Sequence, residues 1–80
     1  MMNGLAGKVG ELSAVLASAN ERYNAGDPSV RFWWCVYHKW FQVEAYVRNE
    51  EFVTIAKKDT RLTEDNVTEA LERVKELIHG

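Results

Sequence analysis

Near the start of the chain, apolar residues recur with helical spacing. Leu5, Val9, Leu12, Leu16, Ala19 and Tyr23 follow one another at intervals of four, three, four, three and four, which places them on one face of a helix. The predicted helix is about 30 Å long at 1.5 Å per residue. Asn24-Ala25-Gly26-Asp27-Pro28 ends it with turn chemistry. Beside that stripe lies another of small residues, Gly7, Gly10, Ala14 and Ala17. Glycine inside a helix costs about 1 kcal/mol relative to alanine, so the small stripe asks for a reason. Fraying before Glu11, or tight packing on a sheet, is favoured over contact between two copies of the helix.

A second helix is predicted at the other end. Thr63 is a good N-cap, Glu64 and Asp65 suit the positive end of the helix dipole, and Leu62 with Val67 has the spacing of a hydrophobic staple. Val67, Ala70, Leu71, Val74, Leu77 and Ile78 form its apolar stripe, and Gly80 closes it. The outer face carries Glu69, Glu72, Arg73, Lys75 and Glu76, with Glu69 and Arg73 spaced for a weak ion pair. Such a face is read as solvated charge.

Between the helices, residues 30–57 are rich in Val, Ile, Phe, Trp and Tyr and contain neither Gly nor Pro, which favours strands. From Phe41 to Arg48 the chain alternates, with Phe41, Val43, Ala45 and Val47 on one side and Gln42, Glu44, Tyr46 and Arg48 on the other. A two-residue turn at His38-Lys39 would set Tyr37 opposite Trp40, Val36 opposite Phe41, Trp34 opposite Val43 and Phe32 opposite Ala45. The core face would then be wholly apolar. A slip of one residue would instead bury Trp33, Cys35 and Tyr37. Arg48-Asn49-Glu50-Glu51 supplies the next turn, and a third strand follows over residues 52–56. A two-residue loop would turn Phe52 inward; a three-residue loop would turn Val53 and Ile55 inward. Residues 57–61 are read as the lead into the second helix.

These elements define an α+β fold of order α-β-β-β-α, a single small domain over residues 1–80. A three-stranded antiparallel meander carries both helices on one face. The other face would display Arg31, Trp33, Cys35 and Tyr37 on the first strand and Trp40, Gln42, Glu44, Tyr46 and Arg48 on the second. That many aromatics on one solvated sheet face call for a covering.

Composition narrows what the covering is. The chain has 80 residues, 46% of them hydrophobic, with three each of Phe, Trp and Tyr; every aromatic but Tyr23 falls between Phe32 and Phe52. Ten basic residues against twelve acidic give a net charge of −2, which argues against strongly electropositive binding of duplex nucleic acid. One cysteine closes no internal disulfide, and His38 and His79 have no partner at metal-ligand spacing, so neither a disulfide scaffold nor a metal site is expected. Lys8 and Glu11 interrupt the apolar start, so a signal peptide or membrane span is not expected, and the chain is read as soluble and cytoplasmic. Cys35 and His38 lack a third group to orient them and are read as an ordinary thiol beside a turn residue. No phosphate loop or paired-carboxylate signature occurs, so neither an enzyme nor a cofactor is expected.

The element order is similar to that of double-stranded RNA-binding domains, which carry lysines at the start of their second helix. Here that position reads Thr63-Glu64-Asp65-Asn66, which repels phosphate, so the comparison extends to topology alone. The leading expectation is an interaction module that associates with protein, itself or another, through Arg31, Trp33, Tyr37, Trp40, Tyr46 and Arg48. Trp, Tyr and Arg dominate interface hot spots, and pairing in a homodimer would supply core volume that a small chain lacks. The alternative is weak binding of single-stranded nucleic acid, with bases stacked on the same face and Arg31, Lys39 and Arg48 supplying charge.

Overall fold

The first apolar stripe is realised as helix α1, Gly4–Asn24, in the computed structural model, which describes residues 4–24, 30–47 and 51–79. Strands β1 (Val30–Tyr37), β2 (Trp40–Val47) and β3 (Glu51–Arg61) follow, then helix α2 (Glu64–His79). The sheet is an antiparallel meander of order β1-β2-β3. Both helices contribute to one core. Leu12, Leu16 and Ala19 of α1 and Val67, Ala70, Leu71 and Val74 of α2 are buried together with Phe32, Phe41, Val43, Ala45, Ile55 and Ala56 of the strands. The order, the meander and the one-sided packing are those expected from the sequence.

The β1–β2 register also follows the expectation, with Phe32 opposite Ala45, Trp34 opposite Val43, Val36 opposite Phe41 and Tyr37 opposite Trp40. His38 opens the two-residue turn with φ of 59°, the left-handed value that primed hairpin turns require of their first central residue. Histidine tolerates that region better than branched residues do, which is how a turn without Gly or Asn holds this register.

Strand β3 departs from the simple picture. Val47 pairs with Glu51 and Tyr46 with Phe52, which corresponds to the three-residue loop: Val53 and Ile55 turn toward the core and Phe52 is outside. The strand then continues to Arg61 instead of ending at Ala56. Between the pairs Phe41 with Thr60 and Val43 with Ala56, residues 57–59 oppose Gln42 alone, and Ile55 is a further unpaired residue. This bulge resets the parity of the strand, so the adjacent residues Ile55 and Ala56 are both buried.

The N-cap of α2 is as expected, while Gly80, expected to close the helix, lies outside the described residues. Thr63 Oγ1 accepts the Asn66 N–H at 3.2 Å, and the Asn66 side chain donates back to the Arg61 carbonyl at 2.9 Å. Leu62 N–H donates to the Lys39 carbonyl at 2.7 Å, tying the start of α2 to the β1–β2 turn. At the start of α1, a Cβ on Gly4 would stand 2.5 Å from Glu64 Oε2. Glycine there lets a carboxylate of α2 approach the N-terminus of α1, whose own first turn has no acidic residue. The beginnings of the two helices therefore meet. From that point α1 crosses the sheet toward β1, where the Asn20 side chain reaches Phe32.

That diagonal course corrects two expectations. Val36, assigned to the core, is 43% exposed, because it sits at the corner of the sheet that α1 leaves uncovered. The small stripe of α1 lies on the side roughly opposite its buried face, so Gly7, Gly10, Ala14 and Ala17 are exposed on a helix continuous from Gly4, and neither fraying nor packing on the sheet accounts for them. A third expectation also changes: Arg73 donates to the Ile55 carbonyl at 3.4 Å, and no ion pair with Glu69 forms. Glu11 pairs instead with Lys75 at 3.2 Å across the helices.

Candidate functional site

Strand parity builds the open face. With Phe32, Phe41, Val43 and Ala45 committed to the core, their neighbours Arg31, Trp33, Gln42, Glu44 and Tyr46 must face away from the helices. Trp33 remains 40% exposed, Tyr37 38%, Trp40 37% and Phe52 71%. The face organises into two clusters separated by Cys35, Gln42 and Glu44.

At the end near the β2–β3 connection, Trp33 reaches across β2 and stacks on Phe52, ring centroids 6.0 Å apart and planes inclined by 25°. Tyr46 meets the same Phe52 edge-on at 5.1 Å. The Arg31 guanidinium lies over the Trp33 ring at 5.3 Å. Three of the expected site residues, Arg31, Trp33 and Tyr46, are thus brought together by one whose facing depended on loop length, Phe52. Packing of this kind holds rings in a defined orientation before any partner arrives.

At the hairpin end, Tyr37 and Trp40 sit opposite each other. The Tyr37 hydroxyl donates to the Lys58 carbonyl in the β3 bulge, and the Arg61 guanidinium lies 5.3 Å over Trp40. From sequence, Arg61 belongs to the lead into α2; only the extension of β3, which places it opposite Trp40, brings it to the face. Arg48, the remaining expected residue, lies outside the described residues. Between the clusters, Gln42 Nε2 donates to Glu44 Oε1 at 3.0 Å, so the middle of the face carries a negative charge held in place.

Among the described residues, each arginine on this face, Arg31 and Arg61, covers a ring, and the central acidic group is Glu44. Among the described residues no group of three or more metal-ligating side chains converges, and no helix is long and apolar enough to cross a membrane. Cys35 is a free, exposed thiol. Comparison with protein families, with curated proteins and with solved structures finds no match.

Proposed function

We propose that this chain is a small interaction module that binds a protein partner through the aromatic face of its sheet. The observation that carries the reading is the Arg31–Trp33–Phe52–Tyr46 cluster: preorganised aromatics, one of them 71% exposed, on a face that neither helix covers. Fully burying a side chain such as Phe52 contributes about 1.5–3 kcal/mol, and rings already held in place lose little entropy on binding. The exposed thiol fits a reducing compartment, and we place the module in the cytoplasm.

Glu44 favours protein over nucleic acid as the ligand. A carboxylate fixed at the centre of the face repels a phosphate backbone, and the guanidinium groups over Trp33 and Trp40 occupy ring surface that a base would need. The experiment is affinity capture from the native host, followed by titration of the purified partner onto wild-type, Phe52→Ser and Trp40→Ala chains. At least about tenfold weaker binding by Phe52→Ser is expected of a hot-spot residue. Unchanged affinity in both variants refutes the reading. Quenching of tryptophan emission by a single-stranded oligonucleotide at low salt, reversed by added salt, would replace it with the nucleic-acid alternative.

A further inference from the structure

The two edges of the sheet are treated differently. The edge formed by β3 carries the bulge, the charged residues Lys57, Lys58 and Asp59, and the Arg73 side chain on the Ile55 carbonyl. Bulges and charges are the means by which proteins keep an edge from pairing. Beyond Arg31 and the Asn20-capped Phe32, the edge formed by β1 has none of these: Trp33-Trp34-Cys35-Val36-Tyr37 carries no charge and no proline, and the ladder of β1 with β2 has no register shift.

Hydrogen-bond phase identifies what that edge offers. In a two-residue hairpin the flanking residues, Tyr37 and Trp40, form a hydrogen-bonded pair, so Cys35 and Trp33 also bond to β2. Phe32, Trp34 and Val36 then point their N–H and C=O groups away from the sheet. Asn20 verifies the phase, since it takes both groups of Phe32: the Phe32 N–H donates to Oδ1 at 2.7 Å, and Nδ2 donates to the Phe32 carbonyl at 2.9 Å. Among the described residues nothing does the same for Trp34 or Val36.

We propose that a second copy of this chain pairs antiparallel along this edge, with the two-fold axis at Cys35. Asn20 and His38 select that register. An axis at Trp34 would pair Val36 with the second copy's Phe32, whose groups are already taken. An axis at Val36 would pair Trp34 with the second copy's His38, whose φ of 59° is not that of a strand. An axis at Cys35 matches Trp34 with Val36 of the second copy and the reverse, so the free donors of these two residues meet free acceptors. Half-buried Trp34 then covers the Val36 that α1 leaves exposed, and on the open face Trp33 lies beside Tyr37 of the second copy. The same register sets Arg31 toward Lys39 of the second copy, so the contact is short and reversible. The edge is thus complementary to itself in one register, with Trp34 covering the exposed Val36, which is why the second copy is the occupant.

The axis makes the inference testable. Facing Cys35 residues would form a non-hydrogen-bonded antiparallel pair with Cα atoms about 4.5 Å apart, within disulfide reach. A mild added oxidant, which accepts the two electrons as the thiols lose their protons, is expected to link wild-type chains at least about tenfold faster than Cys35→Ser/Val36→Cys chains. There the thiols would sit about 9 Å apart in Cα terms. Sedimentation from about 10 µM to about 1 mM, the range of weak reversible interfaces, is expected to show a growing dimer. Val36→Pro, which removes only an outward N–H, abolishes it with the circular dichroism retained; Val36→Lys does so through charge. Phe52→Ser, on the far side of the sheet, leaves the dimer intact, so this proposal and the partner-binding reading fail separately. A wild-type monomer at about 1 mM, equal linking from position 36, or a folded edge variant that still dimerises overturns the proposal.

Discussion

Replacing Asn20 by alanine is the sharpest perturbation of the fold that the structure suggests. Asn20 is half-buried and is the polar residue through which α1 grips the edge of β1, with one hydrogen bond of 2.7 Å and one of 2.9 Å to the same residue, Phe32. A net hydrogen bond contributes about 0.5–1.5 kcal/mol, so losing both costs about 1–3 kcal/mol. A domain this small rarely has more than about 3–5 kcal/mol in total, so Asn20→Ala removes a large share of its stability. At a urea m-value of about 1 kcal/mol/M, the midpoint falls by about 1–3 M, read by tryptophan fluorescence and far-ultraviolet circular dichroism together. Ser18→Ala, an exposed change two residues away on the same helix, serves as control and shifts the midpoint little. Asn20→Asp is expected to be at least as damaging, because its carboxylate keeps the acceptor for the Phe32 N–H and meets the Phe32 carbonyl without a donor. A shift below about 0.5 M for Asn20→Ala would refute the assignment of the edge contact as a stabilising clamp.

Three further changes test separate features. Gly10→Ala should raise stability by about 1 kcal/mol, a rise of about 4–8 °C in Tm, since the added Cβ meets nothing within 4 Å on an exposed helix face; an unchanged or lower Tm contradicts it. His38→Gly should leave stability unchanged or raise it by up to about 1 kcal/mol by relieving the left-handed backbone, whereas His38→Val should lower it by more than about 1 kcal/mol. A double-mutant cycle of Trp33→Ala with Phe52→Ala should give a coupling of about 0.5 kcal/mol, the low end for aromatic pairs because Phe52 is so exposed; zero coupling means the rings do not interact in solution.

Helices and hairpin were legible in the sequence because each is encoded by a strong period. The interval pattern from Leu5 to Tyr23 and that from Val67 to Ile78 each fix one buried face. The parity of Phe32 and Trp34 against Val43 and Ala45 makes one hairpin register bury apolar residues on both strands. Three features were not legible, each for its own reason. Ile55 and Ala56 are consecutive and both buried, which no two-residue alternation predicts; the bulge that allows it is a mismatch of strand lengths that shows only when β3 is laid beside β2. Val36 obeys its parity and is still exposed, because the crossing of α1 over the sheet is set by side-chain packing and leaves no periodic trace. Asn20 looks like an ordinary polar neighbour of Ala19, and its role needs the β1 edge in view. At the site, the residue types were legible, but their grouping through Phe52 depended on loop length and that of Arg61 on the continuation of β3.

The open face and the open edge pose one physical problem. A folded monomer of 9.2 kDa exposes about 4,900 Å² by the size scaling of globular proteins, and this chain exposes 5463 Å². The surplus is accompanied by large apolar side chains left out of the core: Trp33, Tyr37 and Phe52 on the face, Val36 at the bare corner beside the edge. Charge could have protected both regions, and in β3 it does, yet residues 32–37 carry none. Edge pairing would bury the Val36 corner and join two aromatic faces into one continuous sheet, with Trp33 and Tyr37 adjoining across the axis. A partner then meets twice the aromatic surface on one rigid platform, without a new contact type, and its apparent affinity should rise with the concentration of this chain. The Val36→Lys edge variant separates the two contributions: it keeps every residue of the Arg31–Trp33–Phe52–Tyr46 cluster and loses only the concentration dependence.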